Sequence, residues 1–274
     1  MKYEASQYKG QFDYPEAEDY IRNYTRNNSV DKYLTLIEDA KKEVNIPVIA
    51  SVNCISAREW VDFSKKIEQA GADALEVNVY FLPTDKHLSS KDYEEVYCEL
   101  AEKLNDILHI PIAFKLGRQF SNLSNLVDRL YHRKVNGVVL FNRFYEPDID
   151  IKQMKLVPAE VFSAPADIRQ TLRWVGIISD YIDKIDIAAS TGVHDGDSVV
   201  KLLLAGASAI QVCSVLYKKG VSYLETIVND LGTWMDNNEF QSVGNFRGKL
   251  SYRKIPDPSL YERSQFMKYF SGIH

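Results

Sequence analysis

The chain has 274 residues, 45% of them hydrophobic and 26% charged, and a net charge of −5, which is the composition of a globular protein with a substantial core. The acidic balance and the lack of a basic stripe with interleaved aromatic residues argue against nucleic-acid binding. Three scattered cysteines fit neither a disulfide framework nor a metal cluster, and there is no signal peptide and no apolar stretch near 20 residues. We therefore expect a cytoplasmic protein with no metal and no membrane partner.

Short apolar runs alternate along the chain with longer amphipathic segments. The runs are nearly continuous in Val, Ile, Ala and Leu, which is typical of strands buried on both faces of a parallel sheet. They predict six strands, at Pro47–Val52, Ala74–Val79, Ile112–Leu116, Gly137–Phe141, Ile185–Ala189 and Ala209–Cys213. The amphipathic segments predict seven helices, at Val30–Glu43, Ala57–Ala70, Lys91–Leu108, Asn122–Arg133, Ala166–Ile182, Asp197–Leu204 and Ser222–Asp236.

Capping signals support several of these boundaries. Residues 56–59 read as a capping box, and Ser163 with Pro165 is expected to open the helix that contains Trp174. Gly71 and Gly206 each follow an alanine just before a strand, which is where helices commonly end.

Repeated helix–strand alternation with short links predicts an α/β fold with right-handed crossovers. An open doubly wound sheet and a (β/α)8 barrel both satisfy the pattern, although only six core strands are found. No interdomain linker interrupts residues 1–274, so we expect a single domain. Residues 1–44 predict a helical leader, and residues 142–163 predict an insertion, a small hairpin or a lid, above the sheet.

The stretch from Asp186 to Gly220 reads as a buried strand, a glycine turn, a helix, a second buried strand and another turn of small residues. The two strand ends, at Thr191-Gly192 and Cys213-Ser214, would bring backbone amides to one place. Small residues and a following helix favour a phosphate there, and barrels often bind phosphate after their last strands. An ordinary, tightly packed βαβ unit explains the same pattern equally simply.

Polar residues end several otherwise apolar strands, where burial without a partner would be costly. Lys115 stands out inside the run AFKLG: it either pairs with a core carboxylate such as Glu76 or serves as a cation beside an anionic ligand. Asn78 and Asn142 offer donors and acceptors for an amide-like ring edge, although strand-cap roles fit as well. His194, His87 and Cys54 are weaker candidates, each more simply explained by exposure or packing.

Five segments follow one another along the chain: IPVIASVNCISAREWVDF, AGADALEVNVY, IPIAFKLG, GVVLFNRF and residues 186–220. As an ordered set they resemble the dihydroorotate dehydrogenase family of flavoproteins, and more closely a branch found in bacteria. The resemblance implies a (β/α)8 barrel that holds FMN at the carboxyl ends of its strands. It implies that Lys115 lies near the flavin ring, where a cation stabilises the anionic reduced form. Ser51 and Asn53 would line the flavin, Asn78 and Asn142 would face the flavin or the substrate, and the backbones of Thr191, Gly192, Cys213 and Ser214 would hold its phosphate.

Three departures from the family pattern affect the expected chemistry. Phe81 occupies the position of the family's catalytic base and cannot abstract a proton, Pro83 replaces a substrate-binding asparagine, and the leader lacks another. The base is therefore unassigned, and substitutes would come from Tyr80, Asp85, His87, Ser89 or Cys54. The family's first strand–helix–strand unit is not found in this sequence, which would account for the count of six strands. We expect either that the sequence is an internal start or fragment or that the molecule tolerates an incomplete barrel. We expect disorder near the N-terminus or a partner over the gap, and weakened FMN binding.

Three functions follow from these observations. The first is an FMN-dependent oxidoreductase of the dihydroorotate dehydrogenase type, in pyrimidine biosynthesis, which takes a hydride from a small cyclic or carboxylated substrate such as dihydroorotate. The alternative is a catalytically silent relative that binds a phosphorylated ligand or acts as a structural subunit. A third is a phosphate-binding barrel lyase or isomerase that uses Glu76 with Lys115 as its acid and base. Beyond a small-molecule substrate, we expect a homodimer.

Overall fold

The computed structural model describes residues 30–53 and 57–263. The chain divides into two compact units, Met1–Val138 and Val139–His274. In the described residues, six strands form one sheet, in which each strand lies beside the next sheet strand along the chain, and the fifth and sixth strands of the chain form a separate antiparallel pair.

The first unit alternates helices with strands. Its helices are α1 (Val30–Glu43), α2 (Ala57–Gln69), α3 (Ser90–Asn105) and α4 (Leu123–Tyr131). Its strands are β1 (Ile49–Val52), β2 (Ala74–Asn78) and β3 (Ile112–Leu116), and β4 (Gly137–Leu140) lies at the boundary between the units. Helix α3 begins after Ser89, whose side chain accepts a hydrogen bond from the Asp92 amide while the Asp92 carboxylate accepts from the Ser89 amide.

The three strands of the first unit pair in parallel, and their register separates two faces. Ala50 and Val52 lie beside Leu75 and Val77, which in turn lie beside Ile112 and Phe114. All of these side chains are buried, and they form the apolar face that the helices cover. The opposite face carries Ser51 beside Glu76 and Asn78 beside Lys115. Polar side chains are therefore concentrated on one face of these strands, toward their carboxyl ends.

The second unit begins with the hairpin of β5 (Pro147–Asp150) and β6 (Lys155–Pro158). A 3₁₀ turn, Pro165–Asp167, leads into α5 (Ile168–Tyr181), followed by β7 (Asp186–Ala189), α6 (Gly196–Ala205) and β8 (Ala209–Ile210). Strands β7 and β8 pair in parallel, with Ala189 beside Ile210. The remaining helices are α7 (Ser214–Lys219), α8 (Tyr223–Asn237) and α9 (Ser259–Glu262).

The segment after α8 folds back onto the outer helices of the second unit. The Phe246 ring is fully buried and packs 5.0 Å from Trp234 and 5.3 Å from Phe240 between ring centroids. The Tyr252 amide donates to the Gly176 carbonyl, and the Tyr261 ring lies directly over Gly176. This close approach requires glycine at that point of α5.

The structure confirms the predicted α/β fold, the six sheet strands and the incomplete barrel. Helix α1 and strand β3 have the predicted bounds, and other ends move by a few residues, as helix and strand termini commonly do. The largest errors are at two ends: α3 ends at Asn105 instead of Leu108, and β8 ends at Ile210 instead of Cys213 because, in the described sheet, it is the last strand and pairs only with β7. Gly71 and Gly206 end their helices with positive φ, as expected.

Two predicted features at helix starts have other outcomes. Ser163 does not cap α5: the 3₁₀ turn at Pro165–Asp167 comes first, and its Asp167 carboxylate accepts from the Ala164 amide. Ser56, which would open the predicted capping box of residues 56–59, lies outside the described residues, as do residues 1–29 of the leader and Cys54. Within the described residues, no helix is long and apolar enough to cross a membrane.

Candidate functional site

Four polar residues at the strand ends of the first unit lie together and are here called the polar-face cluster (Ser51, Glu76, Asn78 and Lys115). Ser51 and Lys115 both donate hydrogen bonds to Glu76, and Asn78 lies beside Lys115 in the strand register. Strands β1, β2 and β3 place these four residues on the same face through the parallel register. Asn78 is half-buried beside Lys115. The cluster contains both a carboxylate and an ammonium group, so it can hold a charged or strongly polar ligand edge.

Glu76 and Lys115 form an ion pair, with 3.2 Å between Lys115 Nζ and Glu76 Oε1. The Glu76 side chain is 5% exposed and that of Lys115 19% exposed. Of the two sequence-based interpretations of Lys115, the pairing with Glu76 is therefore present in the structure. The pairing is compatible with the other interpretation, a cation beside an anionic ligand, because one ammonium group can donate to more than one acceptor.

Ser51 connects this ion pair to helix α1. Its hydroxyl donates to the same Glu76 oxygen at 2.8 Å. The Tyr33 hydroxyl donates to the Ser51 carbonyl at 2.9 Å and accepts from the Ser51 amide at 3.1 Å. Burial raises the pKa of Tyr33, and the nearby Glu76 charge adds to the rise, while the bond to the Ser51 backbone opposes it. Sequence reasoning missed Tyr33, since its position on an amphipathic helix gives no sign that it reaches β1.

Phe81, the residue that the resemblance places at the base position, lies inside an aromatic group. The Phe81 ring packs edge-on against Tyr97 at 5.8 Å between centroids, and Tyr97 packs against Phe120 at 5.4 Å. Tyr97 is buried, and burial raises its pKa well above the ordinary value. Phe81 therefore serves packing at this point, and no proton acceptor stands in its place.

Four of the proposed substitutes for the base, Tyr80, Asp85, His87 and Ser89, lie on the same loop or at its end, and the fifth, Cys54, lies outside the described residues. The Asp85 carboxylate accepts from the His87 amide at 2.8 Å, and Ser89 caps α3. Tyr80 is exposed. These contacts do not select one residue as the base.

In the second unit, the adjoining ends of β7 and β8 form a turn cluster (Thr191, Gly192, Cys213 and Ser214). Thr191 and Gly192 both have positive φ, of 79° and 83°. The Thr191 hydroxyl donates to the Phe141 carbonyl at 2.9 Å, which fixes the turn against the end of β4. The amides of all four cluster residues donate no hydrogen bond to another described residue. Main-chain donors without a protein partner fit an anion.

Ser163 connects the two turns of this cluster. Its amide donates to Ser214 Oγ at 3.1 Å, and its hydroxyl lies 3.1 Å from His194 Nε2. Lys218 Nζ donates to the Ser163 carbonyl at 3.3 Å. His194 was expected at the surface, but this contact holds it half-buried. Burial lowers the pKa of His194, and the neighbouring Lys218 charge lowers it further.

The other predicted site residues follow strand ends without forming a further cluster among the described contacts. Asn53 is exposed just after β1, and Asn142 is half-buried just after β4. Arg143 donates to the Glu160 carbonyl at 2.6 Å and pairs with Asp167 at 3.4 Å, so it fastens the end of the hairpin insertion. Cys98 is buried and Cys213 is exposed. The described residues contain no group of three His, Cys, Asp or Glu side chains that could hold a metal ion.

Comparison with known proteins gives a consistent result. A family model described as dihydroorotate dehydrogenase matches residues 17–235. A protein from Thermoplasma acidophilum is 26% identical over 230 residues, which span 81% of this chain and 74% of that protein. Similar proteins from Pyrococcus furiosus and Bacillus cytotoxicus are 28% identical over 214 residues (76% of this chain, 70% of that protein) and 23% identical over 220 residues (78% and 70%).

All three relatives are named dihydroorotate dehydrogenase B (NAD(+)), catalytic subunit. The family model covers well over half of the sequence, and the order of strands agrees with an incomplete barrel. The chain therefore belongs to the dihydroorotate dehydrogenase family, a family of oxidoreductases that act on CH–CH donors.

Proposed function

We propose that this chain is an FMN-dependent oxidoreductase that oxidises dihydroorotate or a closely similar cyclic carboxylated substrate. Family membership supports the reaction class. The observation that carries the cofactor assignment is the turn cluster, in which the amides of Thr191, Gly192, Cys213 and Ser214 have no partner among the described residues. FMN ends in a phosphate, and such a set of amides fits a phosphate.

The charges near the turn cluster also suit a phosphate. Lys218 follows Ser214 by one helical turn and lies against Ser163, which in turn contacts both Ser214 and His194. A cation beside unpaired amides favours a dianion over a neutral ligand. The residues of the second unit thus fit the phosphate end of FMN.

When bound, FMN supplies the group that accepts a hydride from the substrate. In the proposed function, Lys115 provides positive charge for the reduced form, and Asn78 and Asn142 bind polar edges of the flavin or the substrate. Ser51 and Asn53 line the flavin side. Each of these assignments is a proposal that rests on the family likeness and on the polar-face cluster.

The proton that leaves the substrate needs an acceptor other than Phe81, whose ring carries no basic atom. Tyr80, Asp85, His87, Ser89 and Cys54 remain the candidates. Ser89 is the least suited of the described ones, because its oxygen already serves the start of α3. Replacing each in turn and measuring single-turnover flavin reduction would identify the base.

We further propose that the chain acts in the cytoplasm and assembles as a homodimer. The relatives are named as catalytic subunits, so a second kind of subunit is a further expectation. The expectation of a single domain over residues 1–274 remains a prediction. Mass photometry of the purified protein, alone and with cell extract, tests the assembly state.

The test of the proposed function is a titration of the purified protein with FMN, followed by mixing with dihydroorotate without oxygen. We expect a protein-bound flavin spectrum that bleaches with dihydroorotate, and Lys115→Ala should weaken FMN retention or slow the bleaching. Lys103→Ala is the matched control, because Lys103 pairs with Glu99 on an exposed face of α3. A protein that takes up no FMN would instead support the catalytically silent relative.

A further inference from the structure

Strand β1 is the first in the order of the described sheet, so its outer side has no neighbouring strand. The Val48 carbonyl accepts from the Asp73 amide toward β2, and alternation along the strand then turns the Ser51 amide and carbonyl to the outer side. Unpaired edge groups of this kind are costly when shielded from water. The Tyr33 hydroxyl satisfies both, as donor to the carbonyl and acceptor from the amide.

This contact fixes the backbone of Ser51, and Ser51 in turn fixes Glu76. The Ser51 hydroxyl and the Lys115 ammonium converge on a single oxygen of Glu76, at 2.8 and 3.2 Å. Charge-assisted hydrogen bonds are stronger than neutral ones and hold their partners in a narrower range of positions. A chain of contacts therefore runs from helix α1 through Tyr33, Ser51 and Glu76 to the end of Lys115.

The location of the pair argues against a purely structural role. Apolar residues of similar size usually stabilise a core as well as a buried ion pair does. The apolar face of the same strands is filled with such residues, with Leu75, Val77 and Phe114 fully buried. The opposite face retains a carboxylate, an ammonium group, a hydroxyl and an amide. Such a set stabilises the fold no better than apolar residues would, but it provides groups that can bind a polar ligand.

We infer that Glu76 is a positioning residue for Lys115, supported by Tyr33 and Ser51, and that it sets how much of the lysine charge is available to an anionic ligand. The inference rests on the proposed function for the identity of that ligand, the reduced flavin. A carboxylate that shares the ammonium group weakens its attraction for a second anion. Replacing Glu76 by the neutral and similarly shaped Gln should therefore favour the reduced cofactor over the oxidised one.

The first experiment needs no flavin. Wild-type, Glu76→Gln and Glu76→Asp proteins are acetylated with limiting acetic anhydride, and peptide mass spectrometry compares Lys115 with Lys103 as the internal reference. We expect Glu76→Gln to raise the relative labelling of Lys115 by about threefold or more, because the Lys115 side chain is then no longer held by a charge-assisted hydrogen bond and is freer to meet the reagent. Glu76→Asp should bring the value back toward wild type.

The second experiment compares dissociation constants of oxidised FMN and of dithionite-reduced FMN for the same proteins without oxygen. For Glu76→Gln we expect the ratio to shift toward the reduced form by about fivefold. Ser51→Ala removes only the hydroxyl that donates to Glu76 and should move both measurements in the same direction by a smaller factor. If Glu76→Gln does not fold, the two measurements on Ser51→Ala test whether Glu76 positions Lys115.

The outcomes separate the inference from the proposed function. Unchanged labelling of Lys115 in folded Glu76→Gln, or in Ser51→Ala if the first variant is unfolded, overturns the positioning role whatever the ligand. Increased labelling with an unchanged FMN ratio overturns the claim that Glu76 tunes the ligand. A wild-type protein that binds neither form of FMN refutes the proposed function, and labelling then decides the positioning role alone.

Discussion

Gly192 offers a direct test of the turn cluster. Its φ is +83°, and an alanine Cβ there would lie 2.2 Å from the Ile168 amide nitrogen, where ordinary contact begins near 3.4 Å. Side chains in this backbone region cost roughly 1–2 kcal/mol. Opening the contact requires the turn to move by about 1.2 Å against the start of α5, and overpacking of this kind costs about 1–3 kcal/mol. We expect Gly192→Ala to lower the free energy of unfolding by about 2–5 kcal/mol.

Gly220 provides the matched control. Its φ is +87°, but the nearest atom to an added Cβ is Ser222 Oγ at 4.0 Å. Because its ψ of 160° places Gly220 in a backbone region nearly restricted to glycine, Gly220→Ala should lose only the conformational part, about 1–3 kcal/mol. The difference between the two variants isolates the close approach of the chain to Gly192.

The assay is urea denaturation followed by circular dichroism, with FMN binding measured on the folded fraction of each variant. Gly192→Ala should lose both stability and FMN affinity, because the shifted turn moves its amides. Gly220→Ala should keep wild-type affinity. If the two variants lose the same free energy of unfolding, the chain does not approach Gly192 closely enough for an added Cβ to clash with Ile168.

Further predictions concern helix packing and pH. Gly176→Ala should destabilise the protein by about 1–3 kcal/mol in urea denaturation, because the new Cβ would lie 2.3 Å from the Tyr261 ring. At Gly232 an added Cβ meets no atom within 4 Å, so Gly232→Ala should stabilise helix α8 by about 0.5–1 kcal/mol. A lower free energy of unfolding in Gly232→Ala would contradict the reasoning. Since burial lowers the pKa of His194, the unfolded chain takes up this proton first as the pH falls, so His194 contributes stability above pH 6.5 that is lost on acidification. The fall in unfolding free energy between pH 7 and 5 should be smaller in His194→Gln than in wild type or His87→Gln, and parallel curves would refute the assignment.

Most of the fold could be predicted from the pattern of residues. Strands β2, β3 and β7 could be predicted because apolar residues outnumber polar ones in each of them, and the periodicity of helix α1 shows its full length. The end of β8 could not be predicted, because residues 211–213 continue the strand-like sequence, whereas the pairing of β8 with β7 in the described residues ends at Ala189 beside Ile210. Strand length at a sheet edge depends on the partner, which the local sequence does not contain.

The candidate site was predicted in part. Ser51, Asn78 and Lys115 were predicted to lie near one another because each is at the carboxyl end of a predicted strand. The parallel register confirms that they share a face of the sheet. The contacts of Tyr33 and Ser163 were missed, because each joins residues far apart in the chain through one side chain or amide. The ligand roles of the predicted site residues remain predictions.

Residue order alone determined the alternation of strands and helices, the count of six sheet strands and the position of the glycine turns, since these depend on the spacing of apolar residues and on backbone conformation near each residue. Tertiary structure alone decided that Lys115 pairs with Glu76, that Tyr33 closes the edge of β1, and that Ser163 holds His194 against the turn after β7. These contacts join residues that are far apart in the chain, and the sequence around each residue does not indicate which partner the fold will bring next to it.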